Sequence, residues 1–166
     1  MPRIAGFNRT SLLDWDGCVS AVIYLPGCNF RCPFCHNREL VLTPEVYEEI
    51  PLEFIEEYVR ENSEFLDGIV VTGGEPTIHR DLPELVKRIK ALGMKVKLDT
   101  NGTNPEMLKD LIYAGLLDYV AMDLKAPLDE SYDDLAGAKV DLSKVKRSIE
   151  IIMGSGIDYE FRTTMV

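Results

Sequence analysis

Three cysteines fall within one short string, Gly27-Cys28-Asn29-Phe30-Arg31-Cys32-Pro33-Phe34-Cys35-His36-Asn37, a C-x3-C-x2-C spacing. Thiolates this close on one loop suit a soft metal. A structural zinc site takes four protein ligands. The only other cysteine, Cys18, stands before the apolar run of residues 19–25. Extended, those seven residues span ~23 Å at ~3.3 Å each, so Cys18 lies too far away to complete the set. Iron–sulfur clusters are also normally held by four thiolates. Three thiolates on a four-iron cube would leave one iron open to a small molecule. The spacing alone also fits a zinc loop closed by a fourth ligand such as His36.

Three further strings end apolar runs: Thr72-Gly73-Gly74-Glu75-Pro76, Asp99-Thr100-Asn101-Gly102 and Asp123-Leu124-Lys125. Glycines allow backbone to approach a ligand closely, and an acid can pair with an ammonium group. Each string also has a plainer reading as a tight turn, a capped turn and an exposed ion pair.

The elements that would carry these strings alternate. Residues 19–25, 68–72, 94–99, 119–124 and 158–165 read as buried strands, rich in β-branched residues. Thr43 and Pro44 open a helical segment that Pro51 splits, with Leu52, Ile55, Val59 and Leu66 on one face. Asp81 caps a helix with a Leu82, Leu85, Val86, Ile89 and Leu92 stripe, and Asn104 and Pro105 open the next. Asp141 starts a last helix, which Gly154 should stop. This alternation predicts an α/β fold, a partial (β/α) barrel of parallel strands with outer helices. Ligands in such folds bind at the carboxyl ends of strands, where all four strings fall. The chain stops at an apolar strand with no covering helix. The expectation is therefore a single domain over 1–166 that lacks its last β-α unit. Cys18 reads as a small core residue, and Trp15 as a cover for the core or part of a partner face.

With 46% hydrophobic and 28% charged residues, the 166-residue chain is globular in composition. A net charge of -10 argues against nucleic-acid binding, which needs a basic face. Most of the surplus lies in residues 45–67, where nine acids face only Arg60. No apolar run reaches the ~20 residues of a membrane span, and no export signal is legible, so a cytoplasmic, thiol-reducing location is expected.

The cysteine spacing resembles the signature of the radical S-adenosylmethionine superfamily. The strings Cys35-His36-Asn37-Arg38, Asp99-Thr100-Asn101-Gly102 and Asp123-Leu124-Lys125 are similar to those of glycyl-radical activating enzymes of the pyruvate formate-lyase type. The N-terminal string from Gly6 to Asp14, together with residues 20–33, looks like the activating proteins of anaerobic ribonucleoside-triphosphate reductase.

That resemblance implies a [4Fe-4S] cluster on Cys28, Cys32 and Cys35, with S-adenosylmethionine on its open iron. It places Phe34 near the adenine, and Gly73, Gly74 and Glu75 at the methionine amino group. Asp99, Thr100 and Asp123 would surround the methionine end, with a monovalent cation, and Asn101 would be a further cofactor contact. Lys125 would face the carboxylate, and Arg162 would be a further polar contact. No side chain would act as acid or base, because the cofactor carries the chemistry. A flavodoxin or ferredoxin would supply the electron, and a glycine of a partner reductase would receive the radical. The alternatives are a radical enzyme of the 7-carboxy-7-deazaguanine synthase type acting on a small molecule, and a non-catalytic metal module.

Overall fold

The computed structural model describes residues 1–164. In chain order the strands are β1 (Gly6–Ser11), β2 (Ser20–Leu25), β3 (Gly68–Gly73), β4 (Lys95–Thr100), β5 (Tyr119–Asp123) and β6 (Asp158–Arg162). The helices are α1 (Arg38–Leu42), α2 (Leu52–Glu61), α3 (Leu82–Ala91), α4 (Pro105–Tyr113), α5 (Tyr132–Ala136) and α6 (Leu142–Ser155). The strands form one sheet in sequence order. β2 through β6 run parallel, and β1 pairs antiparallel with β2. β1 and β6 are the two edges and do not pair with each other, so the barrel is partial and open along one side.

The two faces of the sheet differ in composition because side chains alternate along a strand. The outer face carries Ala21, Ile23, Ile69, Val71, Val96, Leu98, Val120 and Met122 into a core shared with the helices. α3 adds Leu85, Val86 and Ile89 to it, and α6 adds Val145 and Ile152. The inner face has a small apolar floor of Trp15, Val22 and Val70. Trp15 is 6% exposed and is a plug rather than a partner face. Its ring fills the space above Gly68, where any Cβ would lie 2.8 Å from Trp15 Cζ3. Cys18 packs against this floor, at the opposite end of β2 from the cysteine loop.

Several boundaries differ from the sequence expectation. β1 was not foreseen, because GFNRTS is mixed and half exposed, and only its pairing with β2 makes it a strand. α1 and α5 were also missed, since five residues each give no readable period. Thr43 makes no side-chain cap, and a 3-10 turn at Pro44–Val46 precedes α2. α6 runs through Gly154 and ends at Gly156, whose φ of +79° needs no Cβ. The last strand ends at Arg162, and the expected extension to Met165 lies outside the described residues. No helix among the described residues is long and apolar enough to cross a membrane.

Candidate functional site

The carboxyl ends of the parallel strands meet in a cavity of ≈ 220 Å³. Cys28, Cys32 and Cys35 line one wall, with Phe34 between the last two. Gly73, Gly74 and Glu75 come from the end of β3, and Asp99, Thr100 and Asn101 from the end of β4. Asp123, Lys125 and Arg162 complete it from β5 and β6. The structure thus brings every residue singled out in the four strings, and Arg162, to one place. Phe30, Asn37, Val41, Thr72 and Thr164, to which the sequence reading gave no role, also line it, as does His36, which that reading offered as a possible metal ligand. Asn37 was legible only as a neighbour of Cys35, yet its Nδ2 donates to Gly73 O at 2.7 Å and ties the cysteine loop to β3.

The double glycine has a packing reason. Gly73 has φ +122°, and a Cβ there would lie 2.2 Å from Leu25 O. A Cβ on Gly74 would lie 1.8 Å from Gly27 O. Without side chains, the backbone of β3 reaches the start of the cysteine loop: Gly74 N–H donates to Leu25 O and Glu75 N–H to Gly27 O, both at 2.9 Å.

Glu75 is 1% exposed, and both of its oxygens are taken by the chain itself. Oε1 accepts from Thr77 N at 3.0 Å, Thr77 Oγ1 at 2.6 Å and Thr100 Oγ1 at 2.7 Å. Oε2 accepts from Asn101 N at 2.6 Å. Burial pushes its carboxyl up, and these donors work against that shift. Glu75 therefore staples the ends of β3 and β4. The carboxylate oxygen left over belongs to Asp99, whose Oδ1 is buried without a hydrogen-bond partner. Burial also pushes Asp99 up, opposed by the Arg162 guanidinium 3.4 Å from its Oδ2.

The basic side of the cavity is shared between two residues. Arg162 Nε donates to Asp123 Oδ1, and Lys125 Nζ to Asp123 Oδ2, both at 2.8 Å. Burial works against the Lys125 charge, but Asp123 outweighs it and the ammonium is held above its ordinary range. The cavity therefore offers one unpaired acid oxygen and two cationic groups, a match for a ligand carrying an ammonium and a carboxylate.

The cysteine loop is braced from behind by α5. Arg31 N–H donates to Ala136 O at 2.8 Å, and Phe30 packs edge-on against Tyr132 at 6.4 Å. The buried Tyr132 hydroxyl accepts from Lys125 N at 3.3 Å. Burial pushes the Cys28 thiol up to about 11, and Cys32 is raised for the same reason. Among the described residues no group of three or more Cys, His, Asp or Glu is gathered tightly enough for a single metal ion. A four-iron cube binds each thiolate at its own corner, so three cysteines lining one cavity are compatible with it.

Residues 22–166 match the sequence profile of the Radical SAM superfamily. The chain belongs to that superfamily. It is 35% identical over 175 aligned residues to a Methanocaldococcus jannaschii protein provisionally named a glycyl-radical enzyme activating enzyme, covering 98% of this chain and 68% of that one. It is 37% identical over 97 residues to the 7-carboxy-7-deazaguanine synthase of Hyperthermus butylicus, covering 58% of this chain and 40% of the relative. The fold is similar to the crystal structure of QueE from Escherichia coli, with a TM-score of 0.54 and 17% identity over 98% of this chain and 94% of that one. The radical SAM fold implies a [4Fe-4S] cluster and S-adenosylmethionine. The three thiols and the amino-acid-like complement that line the same cavity fit both groups.

Proposed function

We propose that the protein cleaves S-adenosylmethionine reductively and generates a glycyl radical on a partner enzyme, an anaerobic ribonucleoside-triphosphate reductase. The observation that carries this reading is the cavity itself, three cysteines facing an unpartnered Asp99 oxygen and the Lys125 and Arg162 cations. When bound, the cluster supplies one electron to the sulfonium, giving methionine and a 5′-deoxyadenosyl radical that takes a hydrogen atom from the partner's glycine. Cys28, Cys32 and Cys35 would hold the cluster. Asp99 Oδ1 would take the methionine ammonium, and Lys125 and Arg162 its carboxylate. Gly73 and Gly74 shape the same wall, Phe34 faces the adenine side, and Asp123 holds the two cations in place and would take part in any monovalent cation site. A flavodoxin or ferredoxin is the proposed donor of the electron.

The test is anaerobic reconstitution. The wild type should take up about four irons per chain, as a cubane cluster requires, and release methionine and 5′-deoxyadenosine on reduction. Cys32→Ala should lose the iron and the cleavage together. Cleavage by Cys32→Ala at the wild-type rate would overturn the reading. The match to the Hyperthermus butylicus synthase supports a second reading, a small-molecule substrate of that type. A glycyl-radical signal on a reductase from the same genome separates the two.

A further inference from the structure

Among the three cysteine sulfurs, Cys28 is set apart by its surroundings. Its Sγ accepts from Phe30 N at 3.3 Å and lies 3.9 Å both from the amide Nδ2 of Asn101 and from Asn29 Oδ1, to which the free thiol donates. For Cys32 the one side-chain hydrogen bond described runs the other way, from its thiol to Ala136 O at 3.7 Å. A thiolate bound to iron has no proton for that bond or for the one from Cys28 to Asn29 Oδ1, which leaves the bonds that Cys28 Sγ accepts. The Asn101 amide is thus the one side-chain donor that the described residues aim at a ligating sulfur.

That amide is held with unusual completeness. Asn101 Nδ2 donates to Asn29 Oδ1 at 2.9 Å, Asn29 Nδ2 donates to Thr103 Oγ1 at 2.8 Å, and Thr103 Oγ1 donates to Asn101 Oδ1 at 2.7 Å. The three side chains form a closed ring joining the cysteine loop to the turn after β4. Thr103 N–H adds a second bond to Asn101 Oδ1 at 3.1 Å. The backbone under the ring is fixed too. Buried Glu75 accepts from Asn101 N at 2.6 Å, and buried Ser148 of α6 donates to Gly102 O at 2.7 Å. Gly102 sits at φ +74°, where a Cβ would meet Met122 Cε at 2.0 Å. A turn fixed from this many sides is organised to aim one group, and Asn101 is only 5% exposed.

We propose that Asn101 sets the reduction potential of the cluster by donating to the Cys28 sulfur, with Asn29 and Thr103 as the positioning residues that orient its amide. The inference rests on the cluster reading above and goes beyond it, because that reading gives Asn101 no role toward the cluster. Reduction adds negative charge to the cluster and its thiolates, and an N–H donor stabilises that charge, so hydrogen bonds to sulfur raise the potential. The closed ring keeps the amide nitrogen, not its oxygen, on the sulfur side, since a flipped amide would break two of the three bonds.

The experiment is a redox titration of the reconstituted cluster without S-adenosylmethionine, read by the electron paramagnetic resonance of the reduced form. Asn101→Ala should move the midpoint to more negative values, making reduction on the order of tenfold less favourable, ~59 mV for one electron. Asn101→Asp, of the same shape but with no donor and an added charge, should move it further. Thr103→Val and Asn29→Ala, which leave the amide in place but free its orientation, should give smaller shifts of the same sign. Midpoints equal to the wild type in Asn101→Ala and Asn101→Asp, at full iron content, would sink the proposal. If neither Asn101 variant holds iron, Thr103→Val decides, and an unchanged midpoint there counts against it. A wild-type chain that takes no four-iron cluster overturns both readings, whereas a loaded wild type with insensitive variants overturns this one alone.

Discussion

The inner face of the sheet carries two regions, a floor and a mouth, built from the same strands a few residues apart. At the floor, Val22 lies beside Val70 in the register, and Val70 beside Lys97. Trp15 closes that row from below and packs against Tyr119 at 5.8 Å. Two residues further along the strands, the same face presents Tyr24 beside Thr72, and Asp99 beside Ala121. At the rim, Asp123 faces Arg162. The change from packing to chemistry takes one side-chain period, because every second residue of a strand returns to the same face. The floor excludes water and holds the strands in register. The mouth carries a carboxylate oxygen with no partner and a cation pair shared by one aspartate, an arrangement that costs stability unless a ligand completes it. Lys97 marks the boundary. It is buried at the floor, and its charge is satisfied by Asp14 O at 2.7 Å and by Glu160 at 2.9 Å.

This contrast can be broken from either end. Trp15→Ala should give the largest loss of stability, ~3–5 kcal/mol, because a large aromatic leaves a void that the rigid sheet cannot refill. Denaturant unfolding measures it, and S-adenosylmethionine affinity should remain near the wild type wherever the variant is folded. A loss under ~1 kcal/mol would mean that the floor is not a core. Asp99→Asn should behave in the opposite way. Its folded-state carboxyl is raised by burial, so the wild type is destabilised by that charge as pH rises from ~3.9, the unfolded value, through the folded one. The variant should therefore match or exceed the wild type in stability at neutral pH, by a margin that disappears in acid. S-adenosylmethionine binding by calorimetry should weaken about tenfold or more, the cost of one charge-assisted contact.

A third acid sharpens the comparison from outside the barrel. Glu56 of α2 is 8% exposed, and Arg88 Nε lies 2.7 Å from its Oε1 and Arg60 Nη2 3.3 Å from its Oε2. The Arg88 hydrogen bond holds its carboxyl below the usual range. Its contribution to stability is therefore present above ~4.3, the unfolded value, and lost as pH falls through the depressed folded one. Glu56→Gln should cost ~1–2 kcal/mol at pH 7 and nothing near pH 2, in thermal melts across pH. S-adenosylmethionine binding should not change. Equal losses at both pH values would show that the side chain acts through packing rather than charge.

The acidic run of residues 45–67 was legible as a solvated flank, and the structure keeps it so, apart from Glu56. The strands and longer helices were legible as well, because their apolar residues repeat with a clear period, although Asp81, read as the cap of α3, makes no side-chain cap. Asn104 and Asp141 do cap α4 and α6 as read, through Met107 N and Ser143 N. β1, α1 and α5 were not legible. Each is stabilised by what it packs or pairs against, and a five- or six-residue segment has no period of its own. The same reason hid Asn37, Tyr132 and Ala136, which act on the cysteine loop from other elements. It also hid the condition of Glu75. A Gly-Gly-Glu string marks an acid near a ligand, but only the meeting of β3 with β4 shows that its oxygens are already taken and that Asp99 holds the free one.

The sequence by itself determined the cysteine spacing, the α/β order of elements and the placing of four polar strings at strand ends. These are local properties, set by side-chain type and by periodicity along the chain. The tertiary structure alone decided which polar groups are spent on holding the fold and which are left for a ligand. Hydrogen-bond saturation is a property of atoms brought together from distant strands, and no single strand encodes it.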